Sequence, residues 1–115
     1  MGTVLKRLPA SFWQSGTGSE PVRDWLRDAL DKHDRYEIGT AIKTVEYGWP
    51  LGLPVCRHLD KGVWEVRVDL PRNRIARVLF CVHEGHMVLL HGFIKKTQRT
   101  PRRELDLALT RKRAL

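Results

Sequence analysis

The stretch Arg74–Lys96, "RIARVLFCVHEGHMVLLHGFIKK", decides the fold. It holds two apolar runs, "RIARVLFCV" and "MVLLHGFI", separated by "HEGH", where Gly85 can take the positive φ of a tight hairpin. These runs read as two apolar strands of an antiparallel meander. Loop length then sets which side chains share a face, because a slip of one residue turns every side chain over. With Glu84-Gly85 as a two-residue loop, His83 faces His86, odd positions pair with even ones, and Arg77 shares its face with Lys96. A three-residue loop selects Lys95 and His91 instead. The two-residue loop is the expected one, so Lys96 is the favoured neighbour of Arg77.

Upstream, "VWEVRVDL" (63–70) alternates Trp64, Val66, Val68 and Leu70 with Glu65, Arg67 and Asp69, the pattern of a strand with one buried and one wet face. "WPLGLPVCRHL" (49–59) reads as an irregular link. Before it the period is 3.6: Val22, Trp25, Leu26, Ala29 and Leu30 form one stripe behind a Ser19 cap, and Ile38, Ala41, Ile42 and Val45 form another. Gly48 and Pro50 supply a left-handed stop and a breaker for the second helix. The two helices are expected to form a helical hairpin. "TVLKRLP" (3–9) suits a short first strand, and "SGTGS" (15–19) a loop. Downstream, a last helix starts at Thr100 with Pro101 in its first position and Leu105, Ala108 and Leu109 on its apolar stripe. The expected fold is α+β, one domain over residues 1–115, in the order β-α-α-β-β-β-α. The helices pack on one face of a small, twisted antiparallel sheet and leave the other face open for chemistry.

The charge is distributed unevenly. The chain has a formal net charge of +8, and residues 95–115 hold eight of the 21 Lys and Arg against Glu104 and Asp106 alone. Such a tail attracts polyanions, nucleic acid first among them and an acidic protein segment or a membrane surface as alternatives, and its candidate contacts are Arg99, Arg102, Arg103, Arg111, Lys112 and Arg113. The plainer reading is a solvated basic helix. No apolar run is long enough to span a bilayer, and the N-terminus lacks a continuous apolar signal segment, so a cytoplasmic protein without a membrane partner is expected. Cys56 and Cys81 are far apart and show no paired spacing, which argues against a disulfide framework. Cys81, His83 and His86 lack a fourth ligand at standard spacing. No glycine-rich phosphate loop is present. Neither metal nor cofactor is expected.

Arg67 and Arg77 stand inside apolar strands, where an unpaired charge is expensive. One reading pairs either of them with Glu65 or Asp69 as part of the scaffold. The other sets both guanidiniums along a wet groove for phosphate, whose geometry suits the arginine fork.

The order "WEVRVD…RVLFCV…VLLHGFIKKTQRTPRREL" followed by "LAL" resembles the phage-derived, HigB-like branch of the RelE/ParE toxin superfamily over nearly the whole chain. "LLHGFIKKTQRTP" is its most specific part. The resemblance implies a RelE-like fold and the toxin of a type II toxin–antitoxin module. It implies a metal-independent endoribonuclease, or mRNA interferase, that cuts mRNA on the ribosome and is silenced by a helix-turn-helix, HigA-like antitoxin. Arg67, Arg77, Lys95 and Lys96 then match the basic catalytic positions. Attack by the ribose 2′-OH needs a base, cationic donors for the phosphorane and an acid for the leaving oxygen. Lys95 or Lys96 can serve as base where neighbouring cations depress its pKa. Several members carry a C-terminal tyrosine or histidine that is missing here, which leaves His91 as the nearest substitute, against the plainer reading of a hydrogen-bonded core histidine. The alternative is a non-enzymatic protein of the same fold, a ParE-like gyrase inhibitor or a basic nucleic-acid adaptor.

Overall fold

The computed structural model describes residues 4–95, 97 and 99–115. Its elements are β1 (Ala10–Phe12), α1 (Pro21–Asp28), α2 (Lys32–Gly48), β2 (Cys56–Asp60), β3 (Val63–Leu70), β4 (Arg74–His83), β5 (His86–Lys95) and α3 (Arg102–Arg113). The five strands form one sheet in the order β1-β5-β4-β3-β2. β1 runs parallel to β5 and every other pair is antiparallel, so the α+β sheet is mixed and has one strand more than expected.

The hairpin at the centre forms as its residues dictate. Glu84 and Gly85 both have positive φ, 49° and 76°, and His83 stands opposite His86. These are the angles of a two-residue turn whose twist matches that of the flanking strands. Further along, the regular pairing is interrupted. Phe80 pairs with Leu89 but Leu79 pairs with His91, so Leu90 is an extra residue in β5. This bulge changes the parity beyond it. Val88 and Leu90 pack towards α3 before the bulge, and Phe93 does so after it.

The helices cover both faces rather than one. Val22 of α1 and Ile38, Ile42 and Val45 of α2 are buried against Val66, Val78, Phe80 and Leu89. On the other face Leu105, Ala108 and Leu109 of α3 cover Val63, Leu79, Cys81 and Leu90. The runs in β4 and β5 are apolar on both sides, and each side needs a cover.

Several local expectations are corrected. In "TVLKRLP", the described residues 4–9 are not a strand: Arg7 and Leu8 donate their amides to the Glu46 carbonyl, and the Ala10 amide donates to Glu46 Oε2 at 2.7 Å. Those donors are taken up by the end of α2, so the sheet is joined only at Ala10. Residues 56–60 of the supposed link are β2, a short edge strand with a register shift between His58 and Asp60. Ser19 does not cap α1, which starts from Glu20 without a side-chain cap and with Pro21 next, whereas Asp31 caps α2 through the Asp34 amide at 2.8 Å. Gly48 is the last residue of α2 and has no positive φ; the helix stops because Pro50 lacks an amide proton. The last helix begins at Arg102, with Pro101 in the capping position.

Candidate cationic active site

β3 and β4 set Arg67 directly opposite Arg77 and Glu65 opposite Leu79, while β2 sets Arg57 opposite Glu65. These side chains converge on one carboxylate. Arg57 Nη2 donates to Glu65 Oε1 at 3.0 Å, and Arg77 Nε and Arg67 Nη1 approach the same oxygen at 3.6 and 3.8 Å. Glu65 Oε2 accepts from Thr100 Oγ1 at 2.8 Å, and that hydroxyl accepts from Lys95 Nζ at 3.3 Å. Four cations therefore surround one anion. The alternation in β3 placed Glu65 on the wet face, yet it is 0% exposed, held by the arginines beside it and by Thr100.

The cluster has a dry floor and a wet rim. Arg77 is wholly buried, against the expectation of a wet position, whereas the Arg67 and Arg57 side chains are 25% and 41% exposed. Arg77 Nη1 donates to the Ala76 carbonyl at 3.1 Å. Its Nε and Nη2, and Nε of Arg57, have no hydrogen-bond partner among the described residues. A buried donor left in this way costs about 1–3 kcal/mol. Burial pushes the Arg77 pKa down, against the pull of Glu65. Burial first, and then the Arg77 guanidinium, bring Lys95 down to about 8. At pH 7 that leaves roughly a tenth of the amine neutral.

Of the residues singled out from sequence, the structure gathers Arg67, Arg77 and Lys95. The parity expectation is corrected: the two-residue turn is present, but beyond the Leu90 bulge odd positions pair with odd ones, and Lys95 comes onto the face of Arg77. Lys96 lies outside the described residues. His91 is on the same face but four residues from Lys95, about 13 Å along the strand. Its Nε2 meets Glu104 Oε2 in the first turn of α3, and its ring stacks on Phe93 at 5.5 Å. The site thus does not bring His91 to Lys95.

The basic tail divides in two. Arg99, Arg102 and Arg103 are exposed beside the cluster, and a cavity of about 450 Å³ lined by Thr97, Arg99, Thr100, Pro101, Arg102 and Leu105 adjoins it through Thr100. Arg102 is tied to Asp106 at 2.9 Å and Arg103 approaches Glu104 at 3.5 Å. Arg111, Lys112 and Arg113 stand at the other end of α3, roughly 15 Å away by helical rise. Arg111 turns inward, donating Nη1 to the Leu90 carbonyl at 2.7 Å and lying over the Trp13 ring at 5.2 Å.

Arg57 and Thr100 were not singled out from sequence. Arg57 sits in the strand read as a link, and nothing in the local pattern ties Thr100 to a carboxylate 35 residues earlier. Among the described residues no group of three or more His, Cys, Asp and Glu is gathered to hold a metal ion, and no helix is long and apolar enough to cross a membrane.

No curated protein matches the chain. The family described as "Phage derived protein Gp49-like (DUF891)" matches residues 24–113, a span that includes every member of the cationic cluster. The chain therefore belongs to the Gp49-like family of phage-derived proteins, a family associated with RelE-like toxins.

Proposed function

We propose that the chain is the toxin of a toxin–antitoxin module and acts as a ribosome-dependent, metal-independent mRNA endoribonuclease. The observation that carries this reading is the cluster of Arg57, Arg67, Arg77 and Lys95 around Glu65, with buried guanidinium donors lacking a partner among the described residues. A phosphodiester seated at the rim would meet Arg67 and, behind it, Arg77. Donors already fixed in a dry site are worth most when charge builds on the phosphorane oxygens. Lys95 in its neutral form takes the proton of the ribose 2′-OH, and a pKa of about 8 suits a base working near neutrality. The bond from the 2′ oxygen to phosphorus forms as that to the 5′ oxygen breaks, and the leaving 5′ oxygen takes a proton from water, giving a 2′,3′-cyclic phosphate and a 5′-hydroxyl. The antitoxin, a helix-turn-helix protein on this reading, would silence the toxin by presenting an acidic or apolar segment to the basic face.

Single-turnover cleavage of mRNA on programmed ribosomes tests this. Arg67→Ala, Arg77→Ala and Lys95→Ala are expected to lower the rate by about 10²–10³ with ribosome affinity little changed. Lys96→Ala and His91→Ala in the same assay decide whether those residues belong to the machinery. Full cleavage in all five variants removes these residues from the machinery, no cleavage by the wild type sinks the ribonuclease reading, and growth arrest without cleavage points to a gyrase inhibitor of the same fold.

A further inference from the structure

The Leu90 bulge is the hinge on which the composition of the cluster turns. Without an extra residue in β5, the turn at Glu84-Gly85 would set Lys95 on the face of α1 and α2, away from Arg77 and Glu65. The extra residue also leaves a main-chain carbonyl to be satisfied beneath the apolar side chains of α3, and Arg111 donates to it at 2.7 Å. The guanidinium is held over Trp13, and Trp13 donates its own amide to Leu89, the residue just before the bulge. On the opposite face a Cβ at Gly92 would run into the Trp25 ring, so the register beyond the bulge also suits the one position without a side chain.

We infer that Arg111 is a positioning residue for the cationic site: by holding the Leu90 carbonyl it fixes the bulge that turns Lys95 onto the face of Arg77 and Glu65. The inference rests on the ribonuclease reading only for its effect on rate. It separates Arg111 from the rest of the basic tail, since a guanidinium committed to a carbonyl and an indole face is withdrawn from phosphate.

The test follows Lys95 itself. The titration of its amine, read by the pH dependence of acetic anhydride labelling and by mass spectrometry of the Lys95 peptide, is expected to centre near 8 in the wild type. In Arg111→Gln the midpoint should rise by a unit or more as the amine leaves the cluster of Arg57, Arg67, Arg77 and Glu65. The cleavage rate should fall by about 10- to 100-fold, since small displacements of a reacting group cost that much. Arg111→Lys, which keeps a cationic donor of longer reach than the Gln amide, should restore both, and Arg23→Gln, an exposed arginine of α1, should change neither. The salt dependence of RNA binding should be the same in Arg111→Gln as in the wild type, whereas an arginine that pairs with phosphate would flatten it on removal. A folded Arg111→Gln protein whose Lys95 midpoint stays near 8 overturns the inference. If that variant does not fold, the coupling across the hydrogen bond between the Leu90 carbonyl carbon and the Arg111 guanidinium nitrogen in the wild type decides, and its absence overturns the inference. A raised Lys95 midpoint in a protein that never cleaves RNA would leave the positioning role standing and remove the ribonuclease.

Discussion

Lys95 and Glu65 hold the site in tension. Folding takes Lys95 from an ordinary value of 10.5 to about 8, so between those values the unfolded chain binds more protons than the folded one. Stability therefore rises with pH from 8 to 10.5, and the penalty, on the order of 3 kcal/mol at most, is fully present below 8. Lys95→Met is expected to stabilise the protein by about 1–3 kcal/mol at pH 7, with the gain shrinking towards pH 10, in urea titrations at the two pH values. Glu65→Gln should do the opposite. It removes the buried carboxylate that three arginines and a lysine surround, and the cost is on the order of 3–5 kcal/mol. An unchanged midpoint for both variants would mean that the cluster is more solvated than its burial implies. A site that destabilises its own fold is expected where function, not packing, chose the residues.

Among the elements, the helices and the hairpin were legible because each follows one period. The strand turn at Glu84-Gly85 was legible from its glycine, and α3 from its spacing of Leu105, Ala108 and Leu109. The bulge was not, because nothing in "VLLHGF" distinguishes an extra residue from regular alternation; the deciding partners, Arg111 and Trp25, are remote in sequence. Its consequence was to bring Lys95 onto the face of Arg77. β2 was hidden by the prolines around it and by its short, irregular pairing. Glu65 looked wet because alternation along a strand says nothing of partners remote in sequence, such as Thr100. The fit of α1 to the bulge gives a test at this scale. Gly92→Ala forces a methyl group into the Trp25 ring and should destabilise the domain by about 1–3 kcal/mol, as measured by thermal unfolding. Trp25→Leu in the same chain should recover part of that loss, so that the two changes together cost less than their sum. Strict additivity would show that the close approach does not hold the register.

For the molecule as a whole, the net charge of +8 is organised rather than uniform. The N-terminal end of α3 gathers Arg99, Arg102 and Arg103 beside the cluster, and the C-terminal end commits Arg111 to the scaffold. RNA binding should therefore draw unequally on the tail. Arg99→Gln with Arg103→Gln should lower the slope of log affinity against log salt by about 0.7 for each phosphate no longer neutralised on single-stranded RNA. An unchanged slope would return these residues to a solvated helix end. The central claim, that Lys95 is the base of a cationic ribonuclease site, is tested most directly by the pH dependence of single-turnover mRNA cleavage on programmed ribosomes. The rate is expected to rise about tenfold per pH unit below 8 and to level off above it, following the neutral amine, and to lose that dependence along with most of its magnitude in Lys95→Met. A rate that is flat from about pH 6 to 9, or one that Lys95→Met leaves unchanged, would contradict it.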